Sequence, residues 1–185
     1  GDDTLQVAAS TTGVEVSGVT FDQNENDHAA IRIRDSADDV TLSGSTFVNI
    51  PDTNNQAVIN VTDGANAVTI DNNAFTGDGV DATAINVTDT GSNLELTVTN
   101  NNISGFGSSG EGVALNLTSN IQSATVESNN FANNDQHIDR ETAVGDLDTI
   151  FANNDFGERY VIIEDSGGNI QEAIYGDLDT AEAKN

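Results

Sequence analysis

Ala57–Thr83 reads AVINVTDGANAVTIDNNAFTGDGVDAT: two short runs of alternating apolar and polar residues, a tight polar turn between them, and an aromatic residue ahead of a Gly/Asp loop. The same order of features precedes it in AAIRIRDSADDVTLSGSTFVNI (Ala29–Ile50). It follows again in AINVTDTGSNLELTVTNNNISGF (Ala84–Phe106) and VALNLTSNIQSATVESNNFANN (Val113–Asn134). Self-similarity at a fixed period of 20–50 residues is the mark of a solenoid. Aligning the copies gives three columns. An aromatic column runs Phe21, Phe47, Phe75, Ile103, Phe131, Phe156, at intervals of 25–28 residues. A second runs Ile31/Ile33, Ile59/Val61, Ile85/Val87, Leu115/Leu117, and a third Val16, Leu42, Ile70, Val98, Val126, Phe151.

Period-2 alternation inside each short run is the strand signature. Three short strands and three turns consume a coil of this length, so the pattern predicts an all-β parallel β-helix of about six coils. Each coil lies about 4.8 Å above the last, so that equivalent residues stack. A β-sandwich has no reason to keep a fixed register, and the LxxLxL spacing of a leucine-rich repeat is absent. Paired polar residues precede the aromatic column: Asn72/Asn73, Asn100/Asn101, Ser128/Asn129 and Asn153/Asn154. Asn tolerates the left-handed backbone of a sharp bend, and stacked amides can bond along the axis. Gly18 and Gly44 hold the same turn in the first two copies, and the one proline, Pro51, falls in a loop. The expected organisation is a β-helix over residues 1–165, with 166–185 as a joining or capping segment of the same domain.

The VTIDNNAF, VTLSGSTF and VESNNF copies resemble the right-handed parallel β-helix of the pectin-lyase-like superfamily, over roughly Thr12 to Asp165. That resemblance implies the fold. It leaves the function open, because the superfamily holds lyases, hydrolases, adhesins and structural fibres. Its lyases need a Ca²⁺-binding carboxylate cluster and a basic residue to take a proton; its hydrolases need two or three Asp on neighbouring rungs. The basic residues here are Arg32, Arg34, Arg140, Arg159 and Lys184, and no such constellation stands out. The best place for a glycan site is the 134–142 stretch, read as a long loop carrying His137–Glu141, together with Arg32 and Arg34.

Two further sets of residues are candidates for ligands. Asp22, Glu25 and Asp27, and separately Asp78 and Asp81, offer oxygen donors to Ca²⁺, without the spacing of a dedicated loop. No other cofactor is expected. Asn60, Asn86, Asn102 and Asn116 each head an N-x-S/T sequence and are candidate glycosylation sites; ladders of stacked Asn and Thr explain three of them as well. An ice- or mineral-binding face would need a flat Thr array, and Thr62, Thr88 and Thr118 make one short column.

The ends of the chain suggest a role. The tail GDLDTAEAKN (Gly176–Asn185) has helical character, with Leu178 and Ala181 on one side. Written ahead of GDDTLQVAAS (Gly1–Ser10), it is similar to the helix-then-strand entry of many pectin-lyase-like domains. The start at Gly1, without Met or leader, is that expected of a processed or excised piece. The expectation is therefore a unit of an extracellular or cell-surface fibre or stalk that stacks on itself head to tail. Leu5 and Val7 would meet Ile170, Ile174, Leu178 and Ala181 of the next unit. A glycan-binding or glycan-cleaving β-helix with polysaccharide as partner is the alternative.

Composition narrows the partners. Five Lys+Arg against 31 Asp+Glu leave a formal charge of −26, the wrong sign for neutralising phosphates, so nucleic acid and anionic membranes are set aside. No cysteine is present, so disulfides and thiolate metal sites are excluded, and no apolar run approaches membrane-spanning length. Such an acidic surface repels itself in dilute buffer and is screened by salt, as in a halophilic protein. The midpoint of thermal unfolding, followed by circular dichroism, should therefore rise between about 0.01 M and 1 M salt, where the Debye length contracts from ~30 Å to ~3 Å. A flat or falling midpoint would remove the salt-adaptation reading.

Overall fold

The computed structural model describes residues 3–8, 10–24, 28–52, 57–88, 94–107, 112–117, 121–140, 150, 153–157, 160–164, 170–175 and 182–184. The first coil is β1 (Leu5–Val7), β2 (Thr12–Ser17) and β3 (Thr20–Asp22), and the second β4 (Ile31–Ile33), β5 (Asp38–Ser43) and β6 (Thr46–Val48). The third is β7 (Ala57–Thr62), β8 (Ala67–Asp71) and β9 (Ala74–Val80). The fourth is β10 (Thr83–Thr88), β11 (Leu94–Thr99) and β12 (Asn102–Phe106), and the fifth β13 (Val113–Leu117), β14 (Ile121–Glu127) and β15 (Asn130–Ala132). β16 (Gln136–Arg140) and β17 (Asp155–Phe156) belong to a sixth coil. Like strands of successive coils pair in parallel, giving a first sheet β1-β4-β7-β10-β13-β16, a second β2-β5-β8-β11-β14 and a third β3-β6-β9-β12-β15-β17. The chain is thus a parallel β-helix; among the described residues five coils carry all three strands and a sixth carries two, in line with the expectation of about six.

The register follows the three columns. In the first sheet Leu5 pairs with Ile31, Ile31 with Ile59, Ile59 with Ile85, Ile85 with Leu115 and Leu115 with Ile138. In the second, Val16, Leu42, Ile70, Val98 and Val126 are in line. These side chains alternate with outward polar ones and meet in one cluster along the axis. In the third sheet Phe21, Phe47 and Phe75 stack with centroids 5.0 and 4.6 Å apart and planes within 7°. Ile103 then interrupts the column, and Phe131 and Phe156 resume it at 5.3 Å. The position of Phe151 lies outside the described residues.

The coils turn from the second sheet to the third through one left-handed residue. Gly18, Gly44, Asn72, Asn100 and Ser128 have φ between 54° and 65° there. The amide N–H of Gly18, Gly44, Asn72 and Asn100 each donates to a carbonyl one coil up, at 3.0–3.3 Å, so pairing continues round the bend. Between β9 and β12 the register slips: Thr76 and Val80 face Ser104 and Phe106, and the extra Asp78–Gly79 bulges out at φ 56° and 84°. The coils approach so closely beside that bulge that a Cβ on Gly77 would lie 2.4 Å from the Gly105 carbonyl oxygen.

Two expectations change. The stretch read as a loop around His137 is instead β16, because Ile138 completes the Ile59/Ile85/Leu115 column. At the C-terminus, β18 (Tyr160–Glu164), β19 (Ile170–Tyr175) and β20 (Glu182–Lys184) form an antiparallel sheet in the order β18-β19-β20, with β18 beside β16. The helix expected over Gly176–Asn185 is therefore replaced at its end by a strand: Lys184, Ala183 and Glu182 pair with Ala173, Ile174 and Tyr175. Ten residues are too few for a stable isolated helix, and an existing strand edge satisfies their backbone groups better. Leu178 and Ala181 lie outside the described residues.

Phe75 tests the aromatic column. Phe75→Ala removes a ring that is fully buried and stacked at 4.6 Å, and should cost about 3–5 kcal/mol in urea unfolding. A loss well under 1 kcal/mol would mean that the column is not part of the cooperative core.

Candidate functional site

The densest polar arrangement is inside the bend. Asn73, Asn101, Asn129 and Asn154 are the residues immediately after the bend position or its equivalent, and all are buried. Nδ2 of Asn73 donates to Oδ1 of Asn101 at 3.1 Å, Asn101 to Asn129 at 3.0 Å and Asn129 to Asn154 at 2.9 Å. Each Oδ1 also accepts the backbone N–H of the residue one coil down: Ser45, Asn73, Asn101 and Asn129, at 2.9–3.0 Å. Each Nδ2 gives its second hydrogen to a carbonyl, of Leu42, Ile70, Val98 and Val126 in turn, at 2.9–3.0 Å. The arrangement is saturated and has no group left for a ligand, so its task is to hold the coils in register. The sequence pattern points at this corner but does not separate the duties of the paired residues; the structure does, the first bending and the second bonding.

A second row runs along the outer face of the first sheet: Gln6, Arg32, Asn60, Asn86, Asn116 and Asp139 are in register. Asn86 donates through Nδ2 to Asn60 Oδ1 at 3.2 Å, and Asn116 to Asn86 at 2.9 Å. Three candidate glycosylation residues are therefore links of an amide ladder. The fourth, Asn102, is on the third sheet, exposed, and its Oδ1 accepts from Asn130 at 3.0 Å.

Among the described side chains the basic candidates Arg32, Arg34 and His137 are all engaged; Arg159 and the side chains of Arg140 and Lys184 lie outside them. Arg32 Nε lies 3.0 Å from Asp3 Oδ2, and Arg34 Nε 3.2 Å from Asp35 Oδ2. Gln6, with its amide oriented by the network, accepts from Arg34 Nε and Nη2 at 2.9 and 3.1 Å. His137 is 2% exposed, tilted against Phe131 and Phe156, with Nδ1 3.3 Å from Asn134 Nδ2. The structure thus does not bring His137, Arg32 and Arg34 together in an accessible site.

Of the candidate Ca²⁺ ligands, Asp22 accepts from Asn24 N at 3.1 Å and from Asn49 Nδ2 at 3.0 Å. Glu25 and Asp27 lie outside the described residues. Asp78 is in the bulge, and the backbone N–H of the buried Asp81 donates to Asp52 Oδ1 at 2.8 Å. Among the described residues no three His, Asp or Glu side chains are grouped to hold a metal ion.

One feature escaped sequence reasoning. Thr41, Thr69, Thr97 and Thr125 stand in register on the outer face of the second sheet, with Glu15 below them. The signal was the recurring VTLS, VTID, LTVT and ATVE words, whose first Thr precedes the inward residue each time. The neighbouring column runs Ser17, Ser43, Asp71, Thr99, Glu127, so the carboxylates of Asp71 and Glu127 break up a uniform hydroxyl face.

At the start of the solenoid, β1, β2 and β3 are the terminal strands of their sheets. Leu5, Val14 and Val16 are half-buried, whereas Ile31, Val40 and Leu42, one coil on, are at most 1% exposed. Val19, in the turn between β2 and β3, is 40% exposed.

In comparisons with known proteins, the family described as "Right handed beta helix region" matches residues 4–171. No curated protein and no solved structure matches.

The inner ladder makes a sharp prediction. Asn101→Ala leaves the backbone N–H and one side-chain hydrogen of Asn73 buried without their acceptor, and should cost about 3–5 kcal/mol in urea unfolding. Asn100→Ala keeps the ladder, loses an exposed bond to Asp71 Oδ1 and strains a left-handed residue, at about 1–2 kcal/mol. Equal losses for the two would contradict the division of duties at the bend.

Proposed function

The chain belongs to the right-handed β-helix family, and we propose that within it the protein is a structural unit of an extracellular or cell-surface fibre or stalk, stacking head to tail. The observation that carries this reading is the first coil. Among the described residues its three strands are the last of their sheets, and the aliphatic columns end there on Leu5, Val14 and Val16, each half-buried. Val19, the exposed large apolar residue among those described, stands on the same rim. An edge of this kind templates the addition of further strands. Leu5 and Val7 would continue a neighbour's column. The neighbour's side of the joint would be its antiparallel tail sheet, which carries Ile170 and Ile174 in the middle strand.

The reading is a non-catalytic one. It is supported by the basic groups among the described side chains: Arg32 and Arg34 are in ion pairs and His137 is in the core. The alternative is a glycan-binding β-helix, and the row from Arg32 through Asn60, Asn86 and Asn116 on the first sheet is the observation on its side. Neither reading calls for a cofactor; a fibre lost on chelation would add Ca²⁺.

Electron microscopy of the protein in high salt, with and without chelator, separates the two. The expected result is long uniform fibres with a subunit repeat equal to the solenoid's length. Val19→Lys should leave a folded, monodisperse monomer by sedimentation, since an edge lysine opposes strand addition. Single particles at high protein concentration, together with retention on an acidic polysaccharide column, would overturn the fibre and favour the alternative.

A further inference from the structure

We propose that Asn102 is an N-glycosylation site and that Asn86 and Asn116 are not, although all head the same three-residue pattern. Attachment occurs at Nδ2, and the hydroxyl two residues on is part of the recognised sequence. Asn102 begins β12 just past the bend, where the chain turns outward, and it is exposed. It serves its neighbours only as an acceptor: Asn130 donates to its Oδ1, and among the described residues no hydrogen bond engages its Nδ2 or the Ser104 hydroxyl. The residue in register one coil below is Ala74, whose methyl leaves room beside the amide.

The other sites differ on each point. Nδ2 of Asn86 and of Asn116 gives one of its hydrogens to the ladder, and both residues are half-buried between strands about 4.8 Å apart. A sugar on the other hydrogen would have to fit against the neighbouring rungs. Asn60 accepts from Asn86, has Arg32 in register one coil below, and its partner hydroxyl, that of Thr62, donates to Asp63 Oδ2 at 3.1 Å. Asn60 is therefore the weaker of the two acceptor-only sites.

The chemistry balances with a lipid-phosphate-linked oligosaccharide as donor. The sugar C1–O bond to the phosphate breaks and a C1–Nδ2 bond forms. The lipid phosphate leaves with the electron pair, and Nδ2 gives up one proton. Nothing is oxidised or reduced. The product amide keeps Oδ1 intact, so the Asn130 bond survives and the coil is undisturbed. This goes beyond the structural reading and shares with it only an exterior location.

The test is peptide mapping by mass spectrometry, with electron-transfer fragmentation, on the protein taken from the cell-surface fraction of its source. The expected result is a hexose-bearing peptide assigned to Asn102, with Asn86 and Asn116 bare. Asn102→Gln, expressed in the same source, should lose that mass and the corresponding gel shift while its thermal midpoint stays unchanged. A bare Asn102 in surface material, or occupancy of Asn86 or Asn116 equal to that of Asn102, would overturn the proposal. So would recovery of the protein only from the cytoplasm.

Discussion

The structure depends on satisfying a sharp bend in the dark. Where each coil turns from its second sheet to its third, backbone groups that would otherwise be stranded in a low-dielectric interior must find partners. The side chains of Asn73, Asn101, Asn129 and Asn154 supply them, each amide bridging two coils with both its hydrogens and its oxygen. An amide is suited to this because it carries donors and an acceptor on one rigid plane and bears no charge to desolvate. The aliphatic and aromatic columns are then held at a fixed height, and parallel stacking of Phe47 on Phe75 follows from register as much as from ring attraction.

Because every coil bonds only to the coils beside it, stability is local and sums along the axis. That explains why Ile103 can interrupt the Phe column without a gap. It is fully buried, and the same coil places Phe106 and Leu94 fully in the core. It also explains why irregularity gathers on one side. The bend into the third sheet keeps its geometry from coil to coil, while the return to the first sheet varies, with the Asp78–Gly79 bulge in one coil and Pro51 in another.

Much of this was legible in the sequence because the signal was periodicity. The three columns and the paired Asn residues needed only alignment of the chain with itself, and they fix the strands, the register and the inward faces. What depended on single copies was harder. His137 looked like a loop residue because charged neighbours drew attention away from Ile138, whose place in a column decides that the stretch is a strand. The tail read as a helix from Leu178 and Ala181 because a short strand has no internal period to betray it, and Glu182–Lys184 is a strand only by virtue of Ala173–Tyr175. The Thr41–Thr125 column lies on the outward residue of each word, where core packing imposes no apolar pattern to mark it. For the candidate sites, the sequence names four Asn residues; the difference between a ladder donor and a ladder acceptor exists only in three dimensions.

The direction of those amide links has its own consequence. In the buried row, Asn73, Asn101 and Asn129 each give one Nδ2 hydrogen to the next Asn toward the C-terminal end of the solenoid. In the outer rows, Asn116 to Asn86 to Asn60 and Asn130 to Asn102, each points the other way. Each inner Nδ2 gives its other hydrogen to a carbonyl on the N-terminal side, so the buried row binds in both directions along the axis. One neutral side chain thus ties a coil to its neighbours on both sides, and lengthening the stack repeats that joint without adding a charge.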